Sequence, residues 1–93
     1  IIPLKEDKSK SKMRADIVGQ ICESTDFMAK DRLLQKTGSG EYLAIMDTGA
    51  YGFVMSSNYN SRCRIAEVLV EGNKFKIIRK RESFDDLIKH EIV

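Results

Sequence analysis

Two aliphatic-rich runs meet at a two-residue link in the stretch AEVLVEGNKFKIIRK, residues 66–80. Ala66–Glu71 and Lys74–Lys80 have the length and the Val, Ile and Phe content that are typical of β-strands. Gly72 and Asn73 between them favour a tight turn, because both residue types adopt positive φ angles readily. The stretch therefore predicts an antiparallel β-hairpin.

Three further segments are apolar enough for regular structure. Asp16–Ile21 predicts a strand, in which Gly19 marks a bulge or a close backbone approach. Phe27–Leu34 predicts one short helical turn. Glu41–Thr48 predicts the clearest buried strand, which ends at Gly49.

The polar segments predict loops and one helix. Residues 1–15 are expected to form a polar loop, since Lys and Ser are frequent from residue 5 onward and no apolar period is present there. Residues 37–40 predict a turn. Ser83, with Asp86 three residues later, approaches a capping box and predicts a short C-terminal helix.

These elements predict a mainly β fold class, namely a Greek-key-like β-barrel or sandwich with short helices. Residues 16–93 would be its ordered, β-rich part. Four strands rarely close a barrel, so missing strands are expected from elsewhere and the domain should be incomplete alone. The chain begins with Ile1 rather than Met, which favours a processed or truncated product. The predicted core consists of strand residues: Leu43, Ile45, Val68, Val70, Phe75, Ile77 and Ile78.

The composition limits the functional class. The chain has 93 residues, of which 42% are hydrophobic and 32% charged, as in one small soluble domain. A net charge of +2 is too balanced to indicate nucleic-acid binding. No apolar run reaches the roughly 20 residues of a membrane helix. Cys22 and Cys63, without a secretory signal, are expected to be reduced in the cytoplasm. His90 has no Cys or His neighbour at ligand spacing, so no metal site is predicted.

Two segments carry chemically competent side chains. Cys22 and Glu23 open a polar segment after the first predicted strand, where a thiol could act as a nucleophile or proton donor and a carboxylate could bind an ammonium group. From the residues alone, a polar turn with a semi-buried thiol is the favoured interpretation. Tyr51 lies near Gly49 and Gly52, which would let a ligand approach the phenol, or else Tyr51 belongs to the core. Residues 56–62 predict either a capped surface turn or a subunit contact.

Two long motifs occur together in this order. The segment ICESTDFMAKD, residues 21–31, resembles the CES-x-D-x-x-x-KD segment of diaminopimelate decarboxylases. The segment MDTGAYGFVMSSNYNSR, residues 46–62, resembles that family's D-x-GAYG-F-x-MSS-x-YN-x-R segment. Residues 66–70 and 81–87 are similar to its tail. The similarity extends from Ile17 to Leu87, so the chain is identified as a member of this family of fold-type III decarboxylases.

The resemblance implies an enzyme that removes CO2 from meso-2,6-diaminopimelate to give L-lysine with pyridoxal 5'-phosphate. An N-terminal α/β barrel would carry the cofactor and its Schiff-base lysine, outside this chain. Two full-length subunits would form a homodimer with shared active sites. The resemblance assigns Cys22 a catalytic role in the partner's site and Glu23 the binding of the substrate's distal ammonium there. It places Tyr51 at its own subunit's site, against the cofactor phosphate or the substrate.

Related decarboxylases provide one alternative. Decarboxylases that act on ornithine or lysine, which have no distal carboxylate, tend to have Asp after the Cys, so Glu23 favours diaminopimelate. Thr25 stands where the family often has Gly, and Cys63 and Ile65 where it often has Pro. A non-enzymatic alternative is a small basic barrel that binds nucleic acid, for which Phe75 among Lys74, Lys76 and Arg79 offers thin support.

Overall fold

The computed structural model describes residues 1–92, and these are mainly β, as the sequence predicted. The strands are β1 (Ile2–Pro3), β2 (Lys12–Val18), β3 (Phe27–Gln35), β4 (Leu43–Ala44), β5 (Glu67–Glu71) and β6 (Lys74–Arg79). A 3-10 turn spans Tyr59–Ser61, and one helix, α1, spans Phe84–Ile88. The strands of this part of the chain pair antiparallel as β1–β4, β2–β3 and β5–β6, and they do not close a barrel. None of the helices within residues 1–92 has the length and apolar character to cross a membrane.

The chain divides into two compact units, of which the first is Ile1–Asp47. Its centre is the β2–β3 hairpin, where Met13, Ala15 and Ile17 are half-buried and alternate with exposed residues. Leu34, the cross-strand partner of Met13, is 7% exposed and is the buried hydrophobic residue of the described chain. Strand β2 begins at Lys12, so the expected polar loop over residues 1–15 ends earlier than predicted.

A bulge interrupts the β2–β3 ladder at Asp31. The register passes from Ala15↔Arg32 to Ile17↔Ala29, which leaves an extra residue on β3. Asp31 has φ 49°, a left-handed conformation that a non-glycine residue adopts only when its surroundings hold it. Arg14 donates hydrogen bonds to the Asp31 carbonyl at 3.1 Å and carboxylate at 2.9 Å, and the Asp31 amide donates to Asp16 at 2.7 Å. These bonds hold the bulge at a position where no glycine predicts one.

Two predicted elements of the first unit differ from the structure. Phe27–Leu34 is strand rather than a helical turn, because its backbone pairs with β2 and this pairing overrides a weak helical preference. The predicted strand Glu41–Thr48 is reduced to Leu43–Ala44, which pairs with Pro3 and Ile2. Asp47 has φ 60°, so the extended backbone does not continue to Thr48.

The second unit begins at Thr48, and its β5–β6 hairpin confirms the predicted turn at Gly72 and Asn73. Gly72 has φ 61°, the conformation for which glycine is suited. One face of the hairpin is apolar, because cross-strand partners share a face. That face carries Val68 opposite Ile77 and Val70 opposite Phe75. The other face carries Glu67 opposite Arg79, Leu69 opposite Lys76 and Glu71 opposite Lys74.

The predicted core is wrong for most of its members. Phe75 is 76% exposed, and Ile45, Val68, Val70, Ile77 and Ile78 are exposed as well, whereas Leu43 is half-buried. A two-stranded hairpin buries a face only when another layer packs on it. Residues 1–92 do not supply that layer, so the apolar pattern remains at the surface.

Helix α1 begins as predicted. The Ser83 amide donates to the Asp86 carboxylate at 2.9 Å, which is one half of the capping box. This bond and one from the Ser83 hydroxyl lower the pKa of the Asp86 carboxyl, so the negative charge remains at the positive end of the helix.

Candidate functional site

The loop that carries Cys22 and Glu23 joins β2 to β3 and is closed by its own residues. The Gly19 amide donates to the Asp26 carbonyl at 2.8 Å, where the strands separate. Inside the loop, the Asp26 carboxylate accepts a hydrogen bond from the Ile21 amide at 2.9 Å, and the Asp26 amide donates to the Glu23 carbonyl at 3.0 Å. A Cβ on Gly19 would overlap the Asp26 carboxylate. Gly19 therefore leaves room for the Asp26 carboxylate in the closed loop and lies just after the end of β2.

Glu23 is held by the two residues that follow it. Its Oε1 atom accepts hydrogen bonds from the Thr25 amide and the Thr25 hydroxyl, both at 3.1 Å, and from the Ser24 hydroxyl at 3.3 Å. The bonds from Thr25, amide first, hold the pKa of the Glu23 carboxyl below its ordinary value. Glu23 is thus an exposed, ionised carboxylate whose direction is set by the loop.

Cys22 is an exposed free thiol, and Cys63 in the second unit is a half-buried one. Cys22 precedes Glu23 on the same loop, so the structure brings this predicted pair together at one exposed place. Thr25, which departs from the family pattern, contributes two of the three hydrogen bonds to Glu23.

Tyr51 lies on a succession of tight turns over residues 49–55. The Tyr51 amide donates to the Thr48 carbonyl and the Met55 amide to the Tyr51 carbonyl, each at 3.1 Å. A Cβ on Gly52 would lie 2.8 Å from the Thr48 carbonyl oxygen, so only glycine allows this close approach. Tyr51 is 69% exposed, so it is not part of a core formed by residues 1–92, and its contact with a ligand stays a prediction.

The polar segment after Tyr51 is a hydrogen-bonded turn. The Glu82 carboxylate accepts hydrogen bonds from the Arg64 amide and the Asn58 side chain, both at 2.7 Å. These two bonds, the Arg64 bond first, hold the pKa of the Glu82 carboxyl below its ordinary value. Arg64 also donates to the Ser56 carbonyl at 3.1 Å. The subunit contact considered for residues 56–62 stays a prediction.

Sequence reasoning missed three residues that build these loops. Asp26 follows the Cys-Glu pair closely, and its spacing of seven residues from Gly19 could have suggested a hairpin closure. Glu82 and Arg79 had no such signal, because they contact residues far from them along the chain.

The sequence of the first unit decides the family. The model of the C-terminal sheet domain of pyridoxal-dependent decarboxylases matches residues 1–49. The chain belongs to the pyridoxal-dependent decarboxylase family. The assignment made from the two motifs is confirmed.

Curated relatives of this decarboxylase domain are named diaminopimelate decarboxylase. The chain is 55% identical over 89 residues to the Aquifex aeolicus protein, which covers 96% of this chain and 21% of that protein. It is 48% identical over 89 residues to the Vibrio cholerae protein, and the aligned region covers 94% of this chain and 20% of that protein. The chain therefore spans about a fifth of the length of these relatives.

Solved structures agree with the decarboxylase fold. A crystal structure of diaminopimelate decarboxylase from M. jannaschii has a TM-score of 0.90 and 42% identity, covering 99% of this chain and 21% of that one. The Helicobacter pylori diaminopimelate decarboxylase complexed with L-lysine has a TM-score of 0.83 and 38% identity, and the match covers 95% of this chain and 21% of that one.

Proposed function

We propose that this chain is the C-terminal part of a diaminopimelate decarboxylase. The full-length enzyme would remove CO2 from meso-2,6-diaminopimelate and give L-lysine, in the cytoplasm, where free thiols such as Cys22 and Cys63 stay reduced. The observation that carries this proposal is the ionised Glu23 carboxylate, held beside Cys22 on an exposed loop, in a chain about half identical to proteins of that name.

Glu23 is suited to bind a substrate that carries a second amine. An ionised carboxylate pairs with the distal ammonium group of diaminopimelate, and the bonds from Thr25 keep Glu23 charged without the substrate. Thr25 and Ser24 bind Oε1 of Glu23. Such a site rejects an analogue without the amine, because a desolvated carboxylate would then lose its partner. Glu23 therefore binds and orients the distal end of the substrate.

Tyr51 fits the cofactor. Pyridoxal phosphate, when bound, supplies a ring that accepts the electron pair left after CO2 departs. The exposed Tyr51 hydroxyl is a hydrogen-bond donor suited to a phosphate or carboxylate oxygen. Tyr51 would thus hold the cofactor phosphate or the substrate of its own subunit.

Cys22 would act as a proton donor. Loss of CO2 leaves a carbon that must receive a proton, and Cys22 is an exposed thiol, a group that can act as a general acid. Because Cys22 and Glu23 share a loop, the substrate bound by Glu23 would lie within reach of the thiol. We place this loop in the active site of the second subunit of a homodimer, in line with the family resemblance.

The test is CO2 release by the complete polypeptide that contains this chain, reconstituted with pyridoxal phosphate. We expect turnover of meso-2,6-diaminopimelate and at least a hundredfold lower kcat/KM for ornithine and lysine, which keep the distal ammonium group but lack the distal carboxylate and so lose one buried charged interaction. Glu23→Gln, which keeps the shape and removes the charge, should raise KM. A preference for ornithine, or no decarboxylation of diaminopimelate, would refute the proposal.

A further inference from the structure

We propose that Arg79 is a positioning residue for Tyr51. The Arg79 guanidinium lies 4.0 Å from the centre of the Phe53 ring, and Phe53 follows Tyr51 by two residues. This inference deepens the proposed function and rests on it, because it matters for catalysis only if the Tyr51 hydroxyl meets the cofactor or the substrate.

Arg79 itself is fixed by the hairpin. Its Nε atom donates to the Glu67 carboxylate, and the two residues are cross-strand partners at one end of β5 and β6. The planar guanidinium can bond Glu67 through its edge and cover an aromatic ring with its face, which a lysine ammonium cannot reproduce. The ion pair therefore holds the Arg79 guanidinium beside the Phe53 ring.

The Phe53 ring is also contacted by a second arginine. Arg64 lies 5.5 Å from the ring centre and is tied to Ser56, three residues beyond Phe53, at 3.1 Å. The Arg64 amide donates to the Glu82 carboxylate at 2.7 Å, and the Glu82 amide donates to the Arg64 carbonyl at 3.1 Å. Phe53 is accordingly half-buried in a turn whose neighbours are largely exposed.

The direction of Tyr51 depends on this anchor. Gly52 lies between Tyr51 and Phe53, and its close approach to the Thr48 carbonyl keeps all three residues in one turn. The turn has no strand partner, so its internal bonds set its curvature while Phe53 fixes it to the hairpin. Without the contact between Phe53 and Arg79, the exposed Tyr51 side chain would sample directions that miss its ligand.

The experiment uses the complete polypeptide and measures two constants, the dissociation constant of pyridoxal phosphate and KM for meso-2,6-diaminopimelate. The variants are Tyr51→Phe, Arg79→Gln, the two combined, and Arg79→Lys. Lys76→Gln is the control, because it removes a positive charge from the same face of β6. We expect Arg79→Gln to raise whichever constant Tyr51→Phe raises, by about two- to thirtyfold. Arg79→Lys keeps the positive charge and should raise the same constant by a smaller factor.

The combined variant separates positioning from a general structural role. If Arg79 acts through the Tyr51 hydroxyl, adding Arg79→Gln to Tyr51→Phe causes no further loss. Additive losses, or an Arg79→Gln variant that behaves like Lys76→Gln, would overturn the inference and leave the proposed role of Tyr51 intact. A Tyr51→Phe variant with unchanged constants would instead overturn the role of Tyr51, and the positioning role with it.

Discussion

Replacing Gly19 by alanine should distort the loop that carries Cys22 and Glu23. The added Cβ would overlap the Asp26 carboxylate and force it away from the Ile21 amide. A lost hydrogen bond to a charged group costs about 1.5–3 kcal/mol. Alanine restricts the unfolded chain and returns roughly 0.4–1 kcal/mol. The net cost is about 1–2 kcal/mol, and it falls on the loop rather than on the whole domain.

The assay is the steady-state kinetics of the complete enzyme. A net cost of about 1–2 kcal/mol lowers the equilibrium constant for loop closure roughly five- to thirtyfold, and kcat/KM for diaminopimelate falls by up to that factor. Gly38→Ala is the matched control, since its Cβ would meet only the Glu41 carboxylate at 3.7 Å. In an Asp26→Ala background the overlap disappears, so Gly19→Ala should then have little further effect. Wild-type kinetics for Gly19→Ala, or full additivity with Asp26→Ala, would refute this account of the loop.

Three further predictions concern the same regions. Thr25→Val removes the hydroxyl bond to ionised Glu23 and should raise the pKa of that carboxyl, so the acidic limb of the kcat/KM profile moves to higher pH. Thr25→Ser keeps a hydroxyl and should leave the limb in place. Identical limbs in both variants would contradict this. The isolated chain should neither bind pyridoxal phosphate nor release CO2. It should also unfold without a sharp transition in urea, because Leu34 is the buried hydrophobic residue of residues 1–92. A cooperative transition measured by circular dichroism would argue otherwise. A Glu23→Ala subunit mixed with a subunit inactivated at its cofactor-binding lysine should recover about a quarter of wild-type activity. The reason is that about half of the dimers are mixed, and each mixed dimer has one competent site of its two. Verified mixed dimers without recovery would exclude action of Glu23 in the partner's site.

Local patterns predicted the elements that depend on neighbouring residues. The turn at Gly72 and the capping box of Ser83 and Asp86 each rest on residues at most three positions apart, and the structure contains both. The family motifs directed attention to Cys22 and Glu23, and their shared exposed loop follows from their adjacency.

The errors arose where distant residues decide the structure. Phe27–Leu34 became strand because β2 pairs with it, and its bulge depends on Arg14 reaching Asp31 across the ladder. The Phe53 contact depends on Arg79, which lies on another element. The core prediction assumed that an apolar strand face is covered, and the sequence of the hairpin contains no information about what covers it.

The two unlike faces of the β5–β6 hairpin have a consequence for folding. A slip of one residue in the pairing would carry Val68 and Val70 to the charged side and separate Glu71 from Lys74. The opposite charges across the strands therefore favour this register. Hairpins close within about 1–10 μs, so this one can form correctly early and present its apolar side as a ready template for later assembly.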